Sequence, residues 1–488
     1  MESTIDTTNS TIETPLSTDV EKSPPIQNKE LEPINARKVL TKIDLRLLPI
    51  LSLGCLLAFL DRISIGNAEV YGLSKDLNME GTQFNVALLI FFIPYILLEI
   101  PSNMLLKKFK PHCWIAFNIA GFGLTTLSQG FIKNYRSLLV TRFFLGVFES
   151  EISGCYYLIS MWYLRSEAQK RFSVFFLNTA LAIAFGGLLA TAIGKMDGLA
   201  GITAWRWIFI VEGSMTVIVG VVGWWIIPDF PEDPSVTWLT SAEKKWVQNR
   251  LEDDVGKSGR DIKIPIKDIF KMIFTDYKFI MGALMYFFIL MPASGYAYFS
   301  PIILRGWNYS QMQSQLLSVP IGLVTYVVGL ITAWLSDRYT HKYYFVMSGV
   351  VSAMIGISVI MATHGQRLPQ YAMLFFIFVG LAVSVSIVIG WFQSNLAGHK
   401  QRAIGSAWQI SMGNIGSAIS TFLFVKKDAP DYVFGYTACL VSVALGGICA
   451  TIYLLGIKRE NRVRDKIPEG QDVDGEIGDH RRNFKYIE

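Results

Sequence analysis

Asp61 and Arg62 stand side by side in a stretch, about 47–71, that is otherwise apolar enough to cross a lipid bilayer. An ionised side chain in hydrocarbon costs roughly 2.5–3.5 kcal/mol on insertion scales. A chain that keeps an acid and a base there uses them on a partner, an ion or a substrate. A second set interrupts another apolar run: Arg142, Gly146, Glu149 and Glu151. Arg142 and Glu149 are seven residues apart and share one helix face. Gly146 lies between them on that face and lets another backbone approach. Glu151 is nine residues from Arg142 and points nearly the opposite way, so Glu149 is the acid that shares a side with Arg142.

Depth decides which of these groups can meet. At about 1.5 Å per residue, Asp61 lies about 21 Å into its span, roughly 9 Å short of the far edge of a ~30 Å hydrocarbon core. The span of Arg142 runs the other way and places it about 6–8 Å below the same edge. An Asp61–Arg142 ion pair is therefore expected, with Glu149 nearer the midplane. Arg62 is turned about 100° from Asp61 and is expected to be free to face a ligand. Arginine grips a carboxylate through two N–H bonds and stays charged. A carboxyl removed from water holds its proton more tightly. Acids that load a proton beside one uncommitted arginine suit proton-coupled uptake of an organic anion. A pair Asp61–Arg142 that only packs helices is the alternative, as is a purely structural Glu149.

Membrane spans must position these side chains. Of 488 residues, 51% are hydrophobic and only 17% charged, against about 25% charged in soluble proteins. Twelve spans are expected, at about 47–71, 84–107, 111–130, 138–163, 172–194, 205–228, 278–303, 314–336, 343–363, 370–396, 403–425 and 433–457. The expected fold class is an all-α polytopic membrane protein of two six-helix bundles, 46–228 and 278–458. Residues 1–45 read as a disordered cytosolic tail and 459–488 as a second cytosolic tail. The polar stretch 229–277 separates the bundles, opening on Pro228-Asp229-Phe230-Pro231. Within it, Thr240 and Glu243 have capping-box spacing. Ile266, Ile269, Phe270, Ile273 and Phe274 form an apolar stripe with Lys263, Lys267 and Lys271 nearby. That reads as a helix lying on the inner membrane surface, or as an early start of the seventh span.

Lys and Arg are denser on the side of both termini, for example Lys107, Lys108, Lys110, Arg171, Arg338 and Lys342. Both termini are therefore expected in the cytosol. No cleavable signal peptide is visible. The five cysteines fall in or beside spans, not at metal-ligand spacing, and read as small packing residues. Neither a cofactor nor a metal is implied. The net charge of +5 does not suggest a nucleic-acid partner. No nucleophile–base set stands at a common depth, which argues against an enzyme. The expected partners are a small organic anion, protons and the bilayer, with the chain a monomer. Asn308-Tyr309-Ser310 is a glycosylation pattern in an expected outer loop.

Five segments carry a resemblance: Leu60–Ala68 (LDRISIGNA), Tyr95–Asn103 (YILLEIPSN), Arg142 with Glu149, Trp205–Gly213 (WRWIFIVEG) and Gly413–Gly416 (GNIG). Together they resemble the anion:cation symporter family of the major facilitator superfamily. Within it they resemble the fungal allantoate-permease group, whose members carry allantoate, nicotinate, pantothenate, biotin and related anions. The resemblance covers about 46–458 and implies two bundles rocking about a midplane site. It also implies Asp61 and Glu149 as proton sites, Arg62 as the substrate-anion site and Arg142 as the partner of Asp61. Tyr95 and Asn414 would neighbour the substrate. By sequence alone Tyr95 also suits a lipid- or core-facing position, and Asn414 between glycines also suits close helix packing. Ser336-Asp337-Arg338-Tyr339-Thr340 resembles the superfamily's cytoplasmic gate motif, with Thr340 in place of glycine. After the second span, Lys107 replaces the usual aspartate, so that gate would use Glu99 or Asn103. Glu99 and Glu212 otherwise read as helix-packing acids. A fungal plasma-membrane importer of a nicotinate-like carboxylate is the first expectation. An exporter, a carrier of an internal membrane or a non-transporting nutrient sensor are the alternatives.

Overall fold

The structure is a computed structural model that describes residues 35–255, 266–339, 341–363, 365–396, 399–429, 431–465 and 486–487. The described residues form helices and their connections, with no strand among them. Among the described residues, nine helical segments are long and apolar enough to cross a membrane. In the first half stand α1 (Ala36–Val70), the short α2 (Leu73–Asp76), α3 (Gln83–Lys108), α4 (Pro111–Gln129), α5 (Tyr135–Glu149), α6 (Ile152–Ser160), α7 (Arg165–Gly194) and α8 (Ala204–Ile226). The polar stretch holds α9 (Ser241–Val255) and α10 (Ile266–Thr275). The second half holds α11 (Tyr277–Gly306), the short α12 (Gln311–Leu316), α13 (Ser318–Tyr339), α14 (Lys342–Ala362), α15 (Arg367–Ser394), α16 (His399–Ser420) and α17 (Val433–Arg464).

The three expected spans outside those nine are α4, α5 continued by α6, and α16. Each has a local reason for its weaker apolar signal. α4 buries Asn118, Thr125, Thr126 and Gln129. The fourth span is broken at Ser150-Glu151. α16 opens on His399-Lys400-Gln401-Arg402 and carries Gln409 and Asn414. Large apolar side chains such as Leu97, Leu124, Ile218, Trp225 and Leu368 stand exposed on the helix exteriors. That is the surface that lipid tails would cover, since every helix satisfies its own backbone.

Some boundaries differ from expectation. α1 begins at Ala36, not near 47, because the Asn35 side chain accepts from the Lys38 backbone N–H and Val39, Ile43 and Leu47 are buried along one face. Ten residues assigned to the disordered tail are thus helical. Likewise α17 runs on to Arg464, and Tyr486 and Ile487 are docked against the second half. α10 is a helix of its own, since Asp276 breaks the chain and caps α11 through the Lys278 N–H at 2.9 Å. Thr240 and Glu243 make reciprocal bonds of 3.3 and 2.9 Å that start α9. Lys42 donates to Glu243 at 2.6 Å and holds that carboxyl below its ordinary range.

Small residues let helices close on each other. A Cβ on Gly213 of α8 would stand 2.3 Å from the Leu127 nitrogen of α4. The two halves meet through α1 with α11, α3 with α16 and α7 with α13. Three of their polar ties lie at the end where α1 finishes and α13 begins. Asn85 donates to the Thr421 carbonyl at 2.6 Å, Gln311 to Val70 at 3.1 Å and Gln315 to Asn67 at 3.4 Å. At the same end, a Cβ on Gly66 would fall 2.2 Å from the Tyr298 carbonyl oxygen.

Candidate transport site

Every residue from Leu60 to Ala68 of α1 is buried. Arg62 does not stand free. Its Nη2 donates to Glu149 Oε2 at 2.8 Å and its Nε to the same oxygen at 3.1 Å. The Arg62 guanidinium carbon lies 4.8 Å from the ring centres of Phe91 and Tyr95 and 5.0 Å from that of Phe59. Glu149 is fully buried and Arg62 only 7% exposed. α3 reaches this pair because Gly146 of α5 has no side chain. A Cβ there would meet the Phe91 carbonyl oxygen at 2.1 Å.

The expected Asp61–Arg142 pair does not form among the described residues. Asp61 faces α8, where its Oδ2 lies 3.3 Å from the Thr216 hydroxyl, and its Oδ1 has no hydrogen-bond partner. Glu212, four residues before Thr216, accepts from the Ser64 hydroxyl. Arg142 is 1% exposed, and its Nε and Nη2 have no hydrogen-bond partner. The two arginines have exchanged the expected situations. Depth along a helix follows from residue count, but rotation about the axis does not. The 100° step from Asp61 to Arg62 turns the acid toward α8 and the base toward α3 and α5.

Glu151 lies off this cluster, past the end of α5 and at the start of α6. It accepts from the Ser102 hydroxyl and from Trp114 Nε1 at the break between α5 and α6. Asn414 of α16 donates to Glu99 of α3 at 3.4 Å, a polar link between the halves. Asn103 lies one turn beyond Glu99 on α3 and is half-buried. Arg338 is exposed, 5.6 Å from the Trp334 ring centre. The side chains of Asp337 and Lys107 lie outside the described residues. Asn308 is exposed, with a φ of 61° just after α11.

Glu212, Ser64 and Thr216 were not among the residues expected at the site. A glutamate inside the 23-residue apolar helix α8 was itself the available signal. Reading it as a packing acid missed that Ser64, two residues beyond Arg62, aims at it. Three carboxyls (Asp61, Glu149, Glu212) and two guanidiniums (Arg62, Arg142) are thus buried in one half of the molecule. Such a set can exchange protons for the charge of an incoming anion.

Among known proteins, an uncharacterised transporter of Schizosaccharomyces pombe is 32% identical over 446 residues, covering 90% of this chain and 89% of that protein. The high-affinity nicotinic acid transporter of Saccharomyces cerevisiae is 28% identical over 461 residues, covering 92% and 85%. The proton:xylose symporter XylE, solved with 6-bromo-6-deoxy-D-glucose, superposes with a TM-score of 0.64 at 12% identity, covering 86% and 96%. The family model of the Major Facilitator Superfamily matches residues 51–421. With that match, and with relatives that are themselves membrane transporters, the chain belongs to the Major Facilitator Superfamily and is a multi-pass membrane transporter.

Proposed function

We propose that this transporter is a proton-coupled symporter of a small organic anion, of the anion:cation symporter kind and the allantoate-permease group within it. The observation that carries the reading is the buried Arg62–Glu149 ion pair under three aromatic rings. Glu149 and a substrate carboxylate compete for one guanidinium. Protonating Glu149 removes its charge and releases Arg62 to bind the anion through two N–H bonds. Loss of the anion lets Glu149 discharge its proton and take Arg62 back. Proton and anion binding are linked in this way without any contact between them.

Charge balance supports the same scheme. With both arginines charged and all three carboxyls ionised, the cluster carries one net negative charge. An unbalanced charge in a low-dielectric interior is costly, so the cluster gains from taking up a proton. An arriving anion adds a second negative charge, which the proton on Glu149 offsets. Tyr95, Phe59 and Phe91 offer flat faces to a planar acid, and Asn414 reaches Glu99, one turn beyond Tyr95 on α3, from the opposing half. The nicotinic acid relative fits a planar monocarboxylate as substrate. Import across a plasma membrane, with both termini cytosolic and Asn308 outside, is the arrangement this reading takes.

The test is uptake of a labelled carboxylate panel in cells lacking related carriers. Protonation of Glu149 is fuller at lower external pH, so uptake is expected to rise as pH falls from about 7 toward 5. A protonophore is expected to abolish accumulation above equilibrium. The panel includes an acid whose own pKa lies well below this range, because a weak acid also crosses lipid in its neutral form. Carrier-dependent uptake that is flat with pH and indifferent to the protonophore rejects symport.

Alternating access also requires the α1–α11 contact to open and close. Gly66→Val is expected to cut transport about tenfold or more, since overpacking against backbone costs about 1–3 kcal/mol. Gly54→Ala, which meets only the tip of the Ile119 side chain at 3.0 Å, is expected to transport near normally. Equal behaviour of the two variants would show that closure at Gly66 is not needed.

A further inference from the structure

Tyr486 and Ile487 follow α17 by more than twenty residues, yet they are seated against three helix ends of the second half. The Tyr486 N–H donates to Asn461 Oδ1 and its carbonyl accepts from Asn461 Nδ2, each at 3.1 Å. The Ile487 N–H donates to Asn395 Oδ1 at 2.7 Å, and its carbonyl accepts from Asn395 Nδ2 at 2.9 Å and Trp391 Nε1 at 2.8 Å. The Lys278 ammonium donates to the Tyr486 hydroxyl at 2.8 Å and lies 4.8 Å from its ring centre. Tyr486 is 4% exposed, and Trp391 and Asn395 are fully buried.

Both backbone groups of two successive residues are therefore met, each pair by one asparagine amide. A carboxamide offers a donor and an acceptor side by side, as a neighbouring β-strand does. The aromatic ring and its hydroxyl are then read by the lysine. Asn395 ends α15, Asn461 lies in the last turns of α17 and Lys278 in the first turn of α11.

We propose that these four side chains form a peptide-binding notch whose ligand is the chain's own Tyr486-Ile487 segment, held in extended form. The occupied notch staples the ends of α11, α15 and α17. None of its residues belongs to the first half, so the staple stiffens one half without tying it to the other. Alternating access can proceed with the segment in place. The chemical class the notch selects is a short extended peptide that carries a tyrosine.

Hydrogen exchange on the full-length protein in detergent tests this. The Tyr486 and Ile487 amides are expected to exchange about tenfold or more slowly than in a free peptide of the same sequence. Ile487→Pro, which removes the N–H given to Asn395 and alters no spanning helix, is expected to speed exchange at Tyr486 to the free-peptide rate. It is also expected to loosen the ends of α15 and α17. Tyr486→Ala is expected to do the same, and adding the free peptide Phe-Lys-Tyr-Ile-Glu to that variant is expected to restore protection at the end of α15. Free-peptide rates at both amides in the unaltered protein would overturn the proposal. So would full protection retained in Ile487→Pro.

Discussion

Transport by the Arg62→Lys variant is expected to fall roughly thirtyfold or more, about 2 kcal/mol, while the protein still reaches the membrane. Lysine keeps the positive charge that balances Glu149. It cannot reproduce the two N–H groups, Nε and Nη2, that Arg62 turns toward one carboxylate oxygen. Its compact ammonium also lacks the flat face that stacks among Phe59, Phe91 and Tyr95. Uptake assays together with surface quantification separate transport from expression. Arg142→Lys provides the comparison, since that arginine donates no hydrogen bond through Nε or Nη2. Near-normal affinity and rate in Arg62→Lys would remove Arg62 from the substrate site and leave Arg142 as the anion's partner.

Glu149→Gln is expected to abolish accumulation while preserving exchange of substrate across the membrane. Glutamine mimics the protonated acid, so Arg62 is left permanently available to a carboxylate. It cannot shed a proton, so the inward gradient has nothing to drive. The accumulation ratio should fall to the equilibrium value, and counterflow should remain within a few-fold of normal. The variant has a further signature. Breaking a buried ion pair by neutralising one partner costs about 3–5 kcal/mol, and an anion that binds Arg62 restores part of it. Thermal unfolding should therefore show a larger substrate-induced rise in Tm than in the unaltered protein. A Glu149→Gln protein that still concentrates substrate and carries protons inward would shift the proton to the Asp61–Glu212 side.

The sequence by itself determined the helical class, the two groups of six spans and which charged residues lie inside them. Those features are local: an apolar run long enough for a bilayer, a proline that ends a helix, a charge that hydrocarbon penalises. Asp61, Arg62, Arg142 and Glu149 stood out because each is costly where it sits. Even so, α4, α16 and the broken α5–α6 span carry a weaker apolar signal than the other nine, since they hold more polar residues than lipid favours.

Only the tertiary structure decided who pairs with whom. Residue count along α1 gave the depth of Asp61 and Arg62, but their direction depends on how α1 is rotated among α3, α5 and α8. Packing sets that rotation, through close approaches such as Gly146 on Phe91. The outcome gave Glu149 to Arg62, brought Glu212 into the cluster through Ser64 and left two nitrogens of Arg142 unbonded. The seat for Tyr486 and Ile487 was equally invisible beforehand. Its recognition runs from the amides of Asn395 and Asn461 to main-chain atoms, which every residue possesses, so no pattern of side chains along the chain announces it.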